Sequence, residues 1–99
     1  MPITKLSITT SAAKILDAGT RDWLIIQNQS DTDWYLAFDG VEASSVTVAA
    51  GLKPGILIKA GTALIGGRNG PYGKQIDNEF WAIHGGSGSK SGTAHYVGL

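Results

Sequence analysis

The sequence predicts an all-β protein: an antiparallel β-sandwich or jelly-roll-like fold of about eight or nine short strands, in a single domain over residues 1–99. Three observations indicate this class. Apolar residues occur in short runs that alternate or stay apolar for a few positions, as strands do. Fourteen glycines separate these runs at short intervals. No apolar stripe of helical period lasts more than two turns, and Gly19 follows the best candidate, residues 12–16, too early for a stable helix.

In the first half of the chain the apolar runs predict four strands, over residues 3–9, 13–17, 22–28 and 34–39. Residues 23–40 are predicted to form one β-hairpin around the polar turn 29–33. On its second strand Trp34, Leu36 and Phe38 share one face by parity, and we expect that face to point into the core.

In the second half five runs predict strands, over residues 45–49, 55–59, 62–65, 80–84 and 94–97. Turns are expected at Asp39-Gly40 and at Pro54-Gly55, where the residue order suits a type II turn. The glycine-rich segment 66–79 is the longest irregular stretch, and we expect it to be an exposed loop. Residues 85–92 are Gly and Ser rich and are expected to link the last two strands flexibly.

Two predicted strands are apolar on both faces, Trp23-Leu24-Ile25-Ile26 and Phe80-Trp81-Ala82-Ile83. A strand of this kind needs cover on both sides. In so small a domain, part of that cover is expected to come from another chain. Burying one further tryptophan at an interface contributes about 2–3 kcal/mol before ordering costs.

Composition excludes several partners and compartments. Eight basic residues balance eight acidic ones, and the positive charges form no run, so we expect no nucleic-acid partner. Zero net charge favours self-association. There is no cysteine and no apolar run long enough for a membrane span. The first residues lack the pattern of a secretory signal, so we expect synthesis in the cytoplasm.

The polar residues offer few candidates for chemistry. His84 and His95 fall on the last two predicted strands, and a symmetric hairpin would bring them face to face for zinc, with Asp77 or Glu79 as a further ligand. The plainer interpretation is two ordinary strand residues. The acidic turn at residues 30–33 does not have the spacing of a helical calcium loop. We therefore predict no enzyme, no catalytic residue, no metal and no cofactor.

The aromatic residues have three possible uses, as core, as anchors of a protein interface, or as a platform for sugars. The sugar-binding alternative, a lectin-like module, predicts that Trp34, Tyr72 or Trp81 lines an exposed groove near carboxylates or amides.

Several segments resemble small virion proteins of tailed bacteriophages. The similar features are an apolar strand ending in Gln27-Asn28, the turn at Ser30-Asp31 and the strand segment 35–40 ending in glycine. Pro54-Gly55 before an apolar strand, and the segment 81–86, which begins Trp-Ala-Ile, are also similar. The resemblance covers residues 12–98 in patches, and segment 66–79 is longer than expected for that group.

The resemblance implies a capsid decoration (cement) protein that binds the exterior of a phage head as a homotrimer and bridges subunits of the major capsid protein. Another head or tail accessory role, or a glycan-binding role, is the alternative. Residues 1–11 are expected to be able to form an extended N-terminal arm. The predicted capsid contacts are Pro2, Ile3, Thr4, Lys5 and Leu6. The predicted subunit contacts are Tyr35, Tyr72 and Trp81.

Overall fold

The computed structural model describes residues 3–37 and 56–98. The elements are β1 (Ile3–Ile8), β2 (Ala13–Leu16), β3 (Arg21–Asn28), β4 (Trp34–Ala37), β5 (Ile56–Ile58), β6 (Ala63–Gly67), a 3-10 turn (Gly73–Asp77), β7 (Phe80–His84) and β8 (Lys90–Gly98). Five predicted features lie outside the described residues: Pro2, Phe38, the strand over 45–49, and the turns at Asp39-Gly40 and Pro54-Gly55. Within the described ranges no helix is long and apolar enough to cross a membrane.

The strands form two four-stranded antiparallel sheets. Sheet A has the order β1-β8-β3-β6, and sheet B has the order β2-β7-β4-β5. Inward-pointing residues of both sheets form one core cluster, so the two sheets pack face to face. The predicted all-β antiparallel sandwich is confirmed.

The pairing of the described strands is nested: β1 pairs with β8, β2 with β7, β3 with β6, and β4 with β5. Most consecutive strands therefore lie in different sheets. The predicted hairpin over residues 23–40 is wrong, because β3 belongs to sheet A and β4 to sheet B. The turn chemistry at 29–33 specifies a change of chain direction but not which strand becomes the partner.

Strand parity correctly predicted the inner face of β4. Trp34 and Leu36 are fully buried, opposite Leu24 and Ile26 of sheet A. Trp34 packs so closely on β8 that a Cβ at Gly92 would overlap its ring and the carbonyl oxygen of Gln27. Glycine is therefore required at this position by space and not by backbone conformation.

The segment predicted to be a long exposed loop is partly core. Ile76 in the 3-10 turn is fully buried, and its Cγ2 would lie 2.8 Å from a Cβ at Gly66. The turn begins after Tyr72, which has a positive φ of 69°. A single apolar residue among polar ones gave no periodic signal, which is why the sequence pattern missed this anchor.

Candidate binding surfaces

The predicted capsid contacts divide between two faces of one strand. Residues 3–8 form β1 at an edge of sheet A, paired with β8, where an extended arm had been expected. Leu6 points into the core and is 5% exposed, and Thr4 is half-buried on the same side. Ile3 and Lys5 point outward. Alternation along a strand thus leaves two of these residues available to a partner.

The outer surface of sheet A carries a row of three isoleucines and one histidine that crosses all four strands. The register aligns Ile3 with His95, His95 with Ile25, and Ile25 with Ile65. Ile3 is 62% exposed and Ile65 is 61% exposed, whereas Leu24, Ile26 and Ala94 on the inner side of the same sheet are fully buried. Large aliphatic side chains at this exposure are unusual when they are aligned in a row.

A second row lies beside the first. Trp23 pairs with Val97 on β8 and with Gly67 on β6, and both apolar side chains are half-buried. Neither row contains Asp, Glu, Lys or Arg. We call this surface the outer apolar face, consisting of Ile3, Trp23, Ile25, Ile65, His95 and Val97.

The predicted subunit contacts do not lie on one surface. Tyr35 and Trp81 are half-buried on the outer side of sheet B, where they pack against Ala37 and Ile83. Tyr72 is 39% exposed and is joined to Gly67 of sheet A by an isolated bridge. An interface that used all three residues would have to include parts of both sheets.

The two histidines do not form a site. His84 lies on β7 in sheet B with its side chain buried, whereas His95 lies on the outer surface of sheet A. The symmetric hairpin that a zinc site would need does not form, because residues 85–89 connect β7 of sheet B to β8 of sheet A. The carboxylate of Asp77 forms a salt bridge with Arg68, and Oε2 of Glu79 lies 3.9 Å from Nζ of Lys14. Among the described residues no cluster of three or more metal-ligating side chains occurs.

One end of the sandwich is held by a charged network that the sequence did not reveal. Arg21 is 4% exposed and donates from Nη1 to the carbonyl oxygens of Ile76 (2.7 Å) and Asn78 (3.2 Å). Its Nη2 donates to the carbonyl oxygen of Asp17, and its guanidinium lies 4.9 Å from the ring centre of Tyr96. Nothing in the local pattern distinguished this arginine from a surface residue.

A second arginine completes this network. Arg68 Nη2 donates to both carboxylate oxygens of Asp77, at 2.8 and 2.7 Å, and the backbone N–H of Arg21 also donates to Asp77. The Arg21 N–H and then the Arg68 guanidinium hold the pKa of Asp77 below its usual value. A cavity of about 260 Å³ lies nearby, lined in part by Arg21 and Tyr96.

At the opposite end of the sandwich, the side-chain amide of Asn28 holds the connections in place. Asn28 is 1% exposed at the end of β3, and its Nδ2 donates to the carbonyl oxygens of Thr32 (2.8 Å) and Ile58 (3.0 Å). Its Oδ1 accepts from the backbone N–H of Ser30 at 3.0 Å and from the Ser30 hydroxyl at 2.6 Å. One side chain therefore fixes the β3–β4 connection and ties it to β5.

His84 holds the neighbouring connection in the same way. Its Nδ1 accepts from the backbone N–H of Gly86 at 3.0 Å, and its Nε2 lies 2.7 Å from the carbonyl oxygen of Gly88. These partners require the neutral tautomer that carries its proton on Nε2. A groove of about 430 Å³ separates the two connections.

Comparisons with protein-family models, with curated proteins and with solved structures gave no significant match.

Proposed function

We propose that the protein is a non-enzymatic structural module of a virion, a decoration (cement) protein that binds the exterior of a phage capsid. The outer apolar face of sheet A is the observation that carries this proposal. The antiparallel two-sheet sandwich also supports it, because a sandwich or jelly-roll is the fold that the resemblance to these virion proteins implies. The partner proposed is the major capsid protein.

The outer apolar face has the properties of a docking surface. Its two rows contain no charged residue, so no ion has to lose water when a partner covers them. Covering Ile3 and Ile65, each more than 60% exposed, contributes about 1–2 kcal/mol per side chain. Lys5 stands in the next row, where it can remain solvated at the rim.

A contact of this size is weak for one copy and strong for several. The outer apolar face consists of six residues, fewer than the roughly 20–30 residues a side of a standard interface. A homotrimer that presents three copies to a symmetric shell gains affinity through effective concentration. The trimer is part of the proposal, and its subunit contacts at Tyr35, Tyr72 and Trp81 stay predictions.

The test combines the oligomeric state with binding to capsids. Light scattering of the purified protein is expected to give a trimer. Expanded capsid shells of the encoding virus, prepared without the protein, are expected to sediment together with it. The variant Ile65→Lys places a charge at the β6 end of the outer apolar face and is expected to bind about tenfold more weakly, with unchanged thermal unfolding.

Ala18→Lys is the control. Ala18 is an exposed apolar residue in the connection between β2 and β3, outside the outer apolar face and outside the predicted subunit contacts, so the same charge there is expected to leave shell binding unchanged. A monomer that does not sediment with such shells would refute the proposal. Equal loss of binding in both variants would remove the role of the outer apolar face.

A further inference from the structure

A groove opens at the end of the sandwich where Asn28 and His84 lie. It runs between the β3–β4 and β7–β8 connections and has a volume of about 430 Å³, within the range of small-molecule sites. Its lining residues are Asp31, Thr32, Asp33, Tyr35, Gly85 and Gly86. This groove is separate from the outer apolar face, which belongs to the other sheet.

The first wall of the groove is held in place from beneath. Asn28 binds the N–H of Ser30 and the carbonyl oxygen of Thr32, and the Ser30 hydroxyl donates to Asn28 Oδ1 while accepting from the backbone N–H of Thr32 at 3.2 Å. Asp33 Oδ1 accepts from the backbone N–H of Ala60 at 2.9 Å. These bonds fix the backbone of residues 30–33 and use one carboxylate oxygen of Asp33, so this wall is preorganised before a ligand binds.

The second wall is fixed by a buried histidine. His84 binds the backbone at Gly86 and Gly88 through its two ring nitrogens. A Cβ at Gly86 would lie 3.2 Å from Thr32 Cγ2, so a side chain at this position would crowd the opposite wall. Asn28 and His84 are two of the three buried polar or charged residues in the described chain, and both support this groove.

The groups facing the groove combine an aromatic ring with carboxylates. Tyr35 is half-buried, so part of its ring stays accessible. Asp31 Oδ1 accepts from the Thr32 hydroxyl at 3.0 Å and from Lys90 Nζ at 3.1 Å. Together with the bond from Ala60 to Asp33, these contacts engage one oxygen of each carboxylate, and the described residues supply no partner for the other oxygen.

We infer that this groove binds a saccharide, with a sugar ring against Tyr35 and its hydroxyl groups donating to Asp31 and Asp33. Aromatic rings provide an apolar surface for the C–H face of a sugar, and carboxylates accept hydrogen bonds from its hydroxyl groups. Lys90 neutralises part of the acidic charge, which favours a neutral ligand over a cation. The inference goes beyond capsid binding, and because it uses Tyr35 for the ligand it requires the trimer to form without burying Tyr35 as a subunit contact.

The site differs from the one that the sequence suggested for sugar binding. Trp34 is fully buried in the core, and neither Tyr72 nor Trp81 lines this groove. Tyr35, its neighbour in β4, points to the opposite side of the strand and reaches the groove instead.

The test is an NMR titration of the full chain with glucose, galactose, mannose, N-acetylglucosamine and their β-linked disaccharides at millimolar concentration. At least one saccharide is expected to shift the amide resonances of Thr32, Tyr35, Gly85 and Gly86 saturably. The variants Tyr35→Leu, which keeps apolar bulk against Ile83, and Asp33→Asn, which keeps the acceptor for Ala60, are each expected to weaken binding about tenfold.

Two controls make the same chemical changes outside the groove. Trp23→Leu removes an aromatic side chain from the outer apolar face, and Asp22→Asn removes an exposed carboxylate. Both are expected to leave the titration unchanged. The inference is overturned if no saccharide shifts the groove resonances. It is also overturned if arginine or butylammonium shifts them and the saccharides do not, because the groove would then be a site for cations.

Discussion

The two ends of the sandwich are held together by different chemistry. At the arginine end, defined by Arg21, Arg68 and Asp77, two guanidinium groups and one carboxylate connect the start of β3 with the segment after β6. At the amide end, defined by Asn28 and His84, neutral side chains bind only backbone groups and the Ser30 hydroxyl. Both sets are buried or partly buried, and both fix connections that lack strand pairing.

The buried groups at each end differ in net charge, and that charge determines which ligand can bind beside them. The arginine end contributes an excess of positive charge, and burial lowers the pKa of Arg21 while Tyr96, Asp77 and Asp17 oppose that shift. The amide end fixes two connections with no formal charge beneath the groove. The carboxylates of Asp31 and Asp33 therefore do not compete with a buried ion pair and can face a ligand.

The largest effect is expected at the amide end, from Gly92→Ala. The added methyl group would overlap the Trp34 ring and the backbone of Gln27, and neither can move away within the closed sandwich. We expect a loss of about 3 kcal/mol in the free energy of unfolding, measured by urea denaturation. At the arginine end, Gly66→Ala would place its methyl group 2.8 Å from Cγ2 of the buried Ile76, a milder overlap than at Gly92, and is expected to cost about half as much.

Gly67→Ala is the control for both, because a Cβ there has its nearest neighbour at 3.9 Å. It is expected to leave stability nearly unchanged. If Gly92→Ala is tolerated as well as Gly67→Ala, Trp34 does not pack on β8 as described.

The sequence predicted the strands better than their partners. Residues 80–84 were predicted with the observed bounds of β7, and parity placed Trp34 and Leu36 correctly in the core. The hairpin over residues 23–40 failed because turn residues act locally, whereas the choice between two sheets depends on packing at a distance. Asn28 provides the local reason, since its side chain binds Thr32 and β5 at the point where the chain changes sheets.

The candidate sites were predicted less well. Tyr35 was singled out, but as a subunit contact, and its place beside Asp31 and Asp33 depends on loops from both sheets. Arg21 was not singled out, because a charged residue is normally solvated and no periodicity marks a buried one. Contacts between residues far apart in sequence, such as Arg21 with Ile76, leave no trace in one chain's local pattern.

Asn28→Asp tests the neutral character of the amide end. The change keeps the bonds from Ser30 but replaces the donor to Thr32 and Ile58 with an anion facing two carbonyl oxygens. We expect a loss of about 2–3 kcal/mol at pH 7, measured by urea denaturation. A buried carboxyl has a raised pKa, so the loss is expected to shrink toward pH 4, where the group is protonated.

The exposed residue Asn69 provides the control, since Asn69→Asp makes the same change outside both ends. It is expected to alter stability by less than about 0.5 kcal/mol. A loss of stability at position 28 that does not depend on pH would show that shape, and not charge, is what the amide end requires.

The smallest expected effect is the loss, at low pH, of the stability that Asp77 contributes to the arginine end. The pKa of Asp77 is lowered by the Arg21 N–H and the Arg68 guanidinium, so its contribution to stability is present above the unfolded value of about 3.9. The contribution is lost as pH falls through the lower folded pKa. Thermal unfolding of wild type and Asp77→Asn should therefore differ at pH 7 and converge as pH falls below about 4.

Amide exchange separates the two ends within one molecule. The N–H of Arg21 donates to Asp77, whereas the N–H of Ser30 donates to Asn28, which has no carboxylate to protonate. In acid the protection factor at Arg21 is expected to fall before that at Ser30. Two results would contradict the distinction between a charged and a neutral end. One is a difference in melting temperature between the wild type and Asp77→Asn that stays constant as pH falls. The other is simultaneous loss of amide protection at Arg21 and Ser30.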